Sequence, residues 1–293
     1  MNKSCLIGFL MCSAFSLVVQ AATDGAHITK TISQIERKKG IKRTIQYRPD
    51  GNDFVCVNGK NRYTRALYGG ITDFRIETSD RPVFATYKPK DSKHICFRLQ
   101  CGNQSIALDS LKFCEARYRA GRRTYRLTDP LLGKGELNIS VLAFPDAEGG
   151  IWRFTMKDMP EGALLHCYIS EIRAKNLSRN GDMGADRADS FDAPQLPKEQ
   201  KHYKLSLDGT TAYIVVEDQE LRLPALVEGT SLYDKSEKWR SEIESSLQIS
   251  TPDPYFNPLG GALAAAADGI WDGKIWLHGA IGWRSQLNGW RAA

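Results

Sequence analysis

Long hydrophobic runs are scarce in this 293-residue chain. Past residue 19, no segment approaches the roughly 18 to 20 apolar residues of a membrane span, so no spanning segment is expected. Charge of one sign is scarce too. The 40 Lys and Arg against 34 Asp and Glu leave a net charge of +6. These charges are spread along the chain rather than gathered in a patch, so no nucleic-acid partner is expected. The 5 histidines stand apart: His27 lies near the mature terminus, and His94 and His166 lie in strand patterns. No Cys-x2-Cys or His-x3-His pair occurs, so no metal is expected. No His-Glu-x-x-His, Gly-x-Ser-x-Gly elbow or phosphate-cradling glycine loop occurs either, and no cofactor is expected. There is no internal repeat. With 42% hydrophobic and 25% charged residues, the composition excludes a wholly disordered or collagen-like chain.

What is present begins with an address. Lys3 precedes the apolar run Cys5–Val19, and Val19-Gln20-Ala21 supplies a small-residue cleavage site. This pattern predicts a signal peptide over residues 1–21, cleaved after Ala21 or Ala22, and a periplasmic or secreted protein. Cleavage removes Cys5 and Cys12 and leaves Cys56, Cys96, Cys101, Cys114 and Cys167. Most sit in β-type apolar runs and read as buried thiols. A single disulfide between Cys96 and Cys101 is the alternative in an oxidising compartment.

From residue 41 to 226 the hydrophobic period is two, broken by turn residues. Expected strands include Lys42–Tyr47, Phe54–Val57, Val83–Tyr87, Ile95–Gln100, Ser105–Leu108, Phe113–Tyr118 and Thr124–Leu127. Gly135–Phe144, Gly150–Met156, Ala163–Ile172, Tyr203–Leu207, Ala212–Glu217 and Leu221–Leu223 follow. Pro49-Asp-Gly-Asn52 and Asn58-Gly59 read as turns of a hairpin. Many short strands with no helical period between them predict an antiparallel β-sandwich over residues 25–230. Residues 175–201, polar and glycine-rich, read as a long surface loop. Its Asp182, Asp186 and Asp189 lack the EF-hand pattern for calcium.

At Ser231 the period changes. Asp234–Ser246 is expected as a helix within a linker at 231–250, Leu247–Ser250 as a short strand, and Leu259–Asp268 as an alanine-rich helix. The last 23 residues carry four of the 6 tryptophans: Trp271, Trp276, Trp283 and Trp290. Asp268, Asp272, His278, Arg284 and Arg291 are interleaved with them. Aromatic faces stack on sugar rings, while Arg and Asp bond sugar hydroxyls, so this density suits a carbohydrate subsite. Trp283 and Trp290, seven apart, equally suit one buried helix face. Asp268 and Asp272 are candidate carboxylates for glycoside hydrolysis, or simply caps of a helix end or loop.

Several stretches resemble one family. They are Phe54-Val-Cys-Val-Asn-Gly-Lys60 through Gly69, Phe74-Arg-Ile-Glu77 with Asp80–Ala85, and Tyr118-Arg-Ala-Gly121 through Gly135. Trp276-Leu-His-Gly279, Gly282-Trp-Arg284 and Gly289-Trp-Arg291 complete the set. Together they are similar to the bacterial exported six-hairpin glycosidase-like proteins with an N-terminal β-sandwich. The resemblance implies a super-sandwich followed by an (α/α)6 toroid, with residues 251–293 as its truncated beginning. It implies action on polysaccharides, with the missing helical domain as a partner and the catalytic carboxylates lying in that toroid. The expected function is the N-terminal part of an exported glycoside hydrolase-like protein, inactive alone. The alternative is a stand-alone carbohydrate-binding or scaffold module. Trp283, Arg284, Trp290, Arg291, His278, Asp272 and Asp268 are the candidate glycan-binding residues. Linkage, and retaining or inverting chemistry, stay open.

Overall fold

The computed structural model describes residues 46–60, 63–88, 91–171 and 202–277. The described strands run in chain order β1 (Arg48–Asp50), β2 (Asp53–Val57), β3 (Tyr63–Tyr68), β4 (Arg75–Ser79), β5 (Phe84–Lys88), β6 (Asp91–Cys101) and β7 (Gln104–Ala107). Then come β8 (Phe113–Arg119), β9 (Arg122–Thr128), β10 (Glu136–Ala143), β11 (Gly149–Lys157), β12 (Leu164–Glu171), β13 (Tyr203–Ser206), β14 (Thr211–Glu217) and β15 (Glu220–Arg222). Two helices follow, α1 (Leu226–Ser245) and α2 (Leu259–Gly269). None is long and apolar enough to cross a membrane among the described residues.

The protein is mainly β, built as two antiparallel sheets. One has eight strands in the order β1-β2-β8-β9-β10-β11-β14-β15. The other has seven: β13-β12-β6-β5-β4-β3, with β7 added to β6. Period-two patterning makes the sandwich. Along β8 and β9, Cys114, Ala116, Tyr118, Tyr125 and Leu127 point inward, and Glu115, Arg117, Thr124 and Arg126 point outward. One-faced burial of this kind fixes strand register, because a one-residue slip would turn every apolar side chain to water. Phe84, on the seven-stranded sheet, meets Tyr125 and Trp152 of the other sheet edge to face, at 5.5 and 5.7 Å between centroids. Burying each such ring contributes about 1.5–3 kcal/mol, and edge-to-face geometry adds about 0.5–1.5 kcal/mol.

The interior also holds a charge. Arg123 points inward from β9 and is fully buried. It donates to the Ser79 carbonyl at 2.9 Å and the Tyr47 hydroxyl at 2.9 Å, and pairs with Asp80 at 3.4 Å. Tyr125 donates to the same Ser79 carbonyl at 2.7 Å. Asp80 also accepts from Gln46 at 2.6 Å and from Tyr47. A buried guanidinium persists only when paired and hydrogen-bonded in this way.

The structure corrects several expectations. Arg48–Asp50 is strand, so the first turn is Gly51-Asn52 alone. Asn58-Gly59 does not turn a hairpin: β2 pairs with β1 and β8, while the next strand, β3, belongs to the other sheet. Asn58 instead closes the β2–β8 ladder, exchanging backbone and side-chain bonds with Cys114 at 2.8 and 2.9 Å. A Cβ on Gly59 would lie 2.6 Å from the Asp80 side chain, which is why the crossing needs glycine. Strand β4 was not expected because it carries Arg75 and Glu77; these pair at 2.5 Å, buried on the face of the strand opposite the core residue Ile76. Residues 247–250 form no strand. Helix α1 starts at Leu226, eight residues before the expected Asp234, across Gly229, Thr230 and Ser231, which favour helix weakly. It is no free linker: it packs on β10, β11 and β14, and a Cβ on Gly229 would fall 2.4 Å from the Tyr213 ring. All five described cysteines are free thiols. Cys96 and Cys101 share strand β6, about 16 Å apart along it, beyond the reach of a disulfide. Residues 1–21, expected as a signal peptide, residues 175–201, expected as a loop, and residues 278–293 lie outside the described residues.

Candidate functional site

The tail of the described chain is built by close approach. A Cβ on Gly260 would lie 2.7 Å from the Leu247 carbonyl, and one on Gly261 would lie 2.8 Å from the Glu244 side chain. These two glycines let α2 press onto the end of α1. At the other end of α2, a Cβ on Gly269 would meet the Tyr68 ring at 2.3 Å, which seats the helix on β3. The chain then reverses. Asp272 accepts from the backbone amides of Lys274 at 2.9 Å and Ile275 at 2.8 Å. Gly273, at φ +95°, supplies the left-handed residue that the turn needs. Trp271 and Trp276 face each other across this turn as an isolated antiparallel bridge, with ring centroids 4.6 Å apart at 51°. The Thr72 hydroxyl donates to the Trp271 carbonyl at 2.6 Å, tying the turn to the seven-stranded sheet. Both rings stay open to solvent, at 37% and 43%.

The two candidate carboxylates are thus placed but not joined. Asp272 is held below the usual carboxylate range, first by the Ile275 amide and then by that of Lys274. Asp268 lies on the exposed side of the last turn of α2, and the desolvation it does suffer raises its pKa. Opposed shifts in neighbouring carboxyls are what an acid and a nucleophile need, but one oxygen of Asp272 is already engaged by the turn. Trp283, Arg284, Trp290, Arg291 and His278 lie outside the described residues.

Two clefts mark the eight-stranded sheet. The larger, about 450 Å³, lies between Asn52, Arg119 and the α1–α2 junction. Its charges are spent on each other: Glu244 accepts from Arg119 at 2.7 Å and from Arg240 at 2.8 Å. Burial alone would raise the Glu244 carboxyl, but these two guanidiniums outweigh it and hold the pKa low. This is an ion pair that fastens the helix, not a proton donor.

The second cleft, about 280 Å³, lies on the outer face of β8–β11. Cross-strand register aligns two polar rows there. One row is Arg117, Thr124, Ser140 and Arg153. The other is Glu115, Arg126, Asn138 and Thr155. Arg117 pairs with Glu115 and Asp50, both at 2.8 Å, and Arg126 with Glu115 and Glu136, both at 3.4 Å. The Arg117 hydrogen bond is the largest cause that holds Glu115 below its ordinary pKa. Arg153 differs. Its guanidinium carbon stacks 3.9 Å from the Tyr233 ring of α1, and Tyr233 is hydrogen-bonded to Ser140 at 2.7 Å. The sequence pattern marked these positions only as the outward half of the strands; their alignment into rows depends on register.

Among the described residues no group of His, Cys, Asp and Glu is arranged to hold a metal ion. Residues 89–217, which run from β6 through β14, match the family model of a domain of unknown function, DUF4450. No curated protein matches the chain.

Proposed function

We propose that this chain is the glycan-binding β-sandwich of an exported glycoside hydrolase-like protein, and that by itself it binds rather than hydrolyses. The observation that carries this reading is the Trp271–Trp276 pair: two exposed rings held on a turn that Asp272 and Thr72 fix. Rigid exposed indoles offer large stacking area at low entropic cost, and sugar rings present C–H faces to such surfaces. His278, Trp283, Arg284, Trp290 and Arg291 continue the same segment and belong to the proposed subsite, as do Asp268 and Asp272. Hydrolysis needs two carboxyl groups flanking one bond; with Asp272 engaged in the turn, the acid and base are assigned elsewhere, in the helical toroid that the resemblance implies. Export to the periplasm or beyond is part of the reading and rests on the leader-like segment at residues 1–21.

The test is intrinsic tryptophan fluorescence of the full chain, titrated with neutral oligosaccharides from plant and host glycans. Saturable change with at least one of them, lost in both Trp271→Ala and Trp276→Ala, supports the proposal. A flat response to the whole panel, or binding indifferent to both variants, overturns it.

A further inference from the structure

We infer that the cleft on the outer face of β8–β11 is a second binding site, for a sugar acid whose carboxylate pairs with Arg153. The carboxylate half of this inference rests on the cleft alone; the sugar half rests on the glycan reading above, although the site is separate from the tryptophan turn. The cleft holds an unspent charge. The Arg153 Nε is sealed from solvent and has no hydrogen-bond partner. Among the described residues, Arg153 has no ion pair; its one partner is the face of Tyr233. The carboxylates around the cleft are already shared by Arg117 and Arg126. The Nε is closed off, but the stacking fixes the guanidinium plane and its two terminal nitrogens have no partner among the described residues, which suits end-on bidentate capture of a carboxylate.

The rest of the cleft presents hydroxyls. Thr124 and Thr155 line it, and neither hydroxyl has a hydrogen-bond partner among the described residues. Thr155 lies two residues along β11 from Arg153, and Thr124 lies two strands away in the same row, roughly 10 Å off. A pyranose ring with an exocyclic carboxylate spans that distance, with the carboxylate on Arg153 and ring hydroxyls on the two threonines. The cleft volume of about 280 Å³ accommodates one such ring. Tyr233, stacked on the Arg153 guanidinium, is itself held by its bond to Ser140, which lines the cleft.

Ligand-observed NMR titration of the full chain provides the test, with D-glucuronate, D-glucose and acetate as probes. The expected result is saturable glucuronate binding with a Kd at least tenfold lower than that for glucose or acetate. Arg153→Gln should weaken it at least tenfold. Should Arg153→Gln not fold, phenylglyoxal modification of Arg153 in the unaltered chain, followed by mass spectrometry, reads the same contact. Glucuronate should slow it several-fold, and glucose should not. Equal binding of glucose removes the carboxylate from the argument, and equal binding of acetate removes the sugar. Absence of glucuronate binding, or indifference to Arg153→Gln, overturns the site. Failure at Trp271 and Trp276 leaves this readout intact, so the two proposals fail separately.

Discussion

Arg123 and Ser79 join the two sheets through the middle of the sandwich. The guanidinium leaves β9 of the eight-stranded sheet and reaches the carbonyl that ends β4 in the other, at 2.9 Å. The same group holds Asp80, whose side chain is equally sealed from water. Breaking a buried pair from one side strands the other charge, which costs about 3–5 kcal/mol. Arg123→Ala is therefore expected to lower unfolding free energy by about that amount in urea titration. A loss below about 1 kcal/mol would show that Asp80 is satisfied without it.

Acid should weaken the fold before the carboxylates titrate. His94 is buried on β6, and burial depresses its pKa to about 4, against 6.5 for an accessible imidazole. Between those values the unfolded chain takes up a proton that the folded chain refuses. Stability is then highest above pH 6.5 and falls as pH drops toward 4, by about 2 kcal/mol at pH 5. His166 is shifted the same way, chiefly by burial, and adds to the slope. Glu115 and Glu244, held low by arginines, lose their contribution only below the ordinary Glu pKa. Urea titrations at pH 7 and pH 5 should show this difference, reduced but not abolished in His94→Gln. Equal midpoints at the two pH values would contradict it.

The thiols should be quiet. Burial pushes Cys96, Cys114 and Cys167 to about 12, so little thiolate exists at neutral pH. Cys56 is buried too and shifted the same way, whereas Cys101 is half-buried. Peptide mapping after brief iodoacetamide treatment of the native chain should find Cys101 labelled first, and Cys96, Cys114 and Cys167 labelled only after denaturation. A Cys96–Cys101 crosslink in the non-reduced digest would refute the free-thiol geometry.

The strands of the DUF4450-matching region were legible because their apolar residues alternate cleanly, as along β8 to β11. Where alternation failed, so did the reading. Strand β4 is buried at all five positions and hides Arg75 and Glu77 as a pair, a pattern that in sequence resembles a polar loop. Asn58-Gly59 has hairpin chemistry, yet its conformation is used for a sheet crossing, a choice settled by Asp80 and Cys114 far along the chain. The start of α1 was obscured by Gly229, which the helix needs in order to approach Tyr213. The tryptophan density of the tail was visible at once, but its geometry was not. The cleft of Arg153 was invisible, since nothing local says that Ser140, Thr124 and Arg117 will stand in one row with it.

Asp272 provides the sharpest separation of a structural from a chemical carboxylate. One oxygen of its carboxylate accepts from the amides of both Ile275 and Lys274, and these bonds are the largest causes of its lowered pKa. The turn they close brings Trp271 and Trp276 to 4.6 Å. Asp272→Ala removes the acceptor, leaves two amides to water, and frees the turn. Asp272→Asn keeps an oxygen that can accept both bonds, as Asn does in the same type of turn. Turn closure therefore predicts that Asn preserves the native tryptophan emission and any oligosaccharide binding, while Ala shifts the emission and weakens binding several-fold. A carboxylate acting on the sugar predicts the reverse ranking, with Asn as damaging as Ala. Emission spectra and titrations of the two variants side by side decide between these outcomes, and equal loss in both would discard the turn assignment.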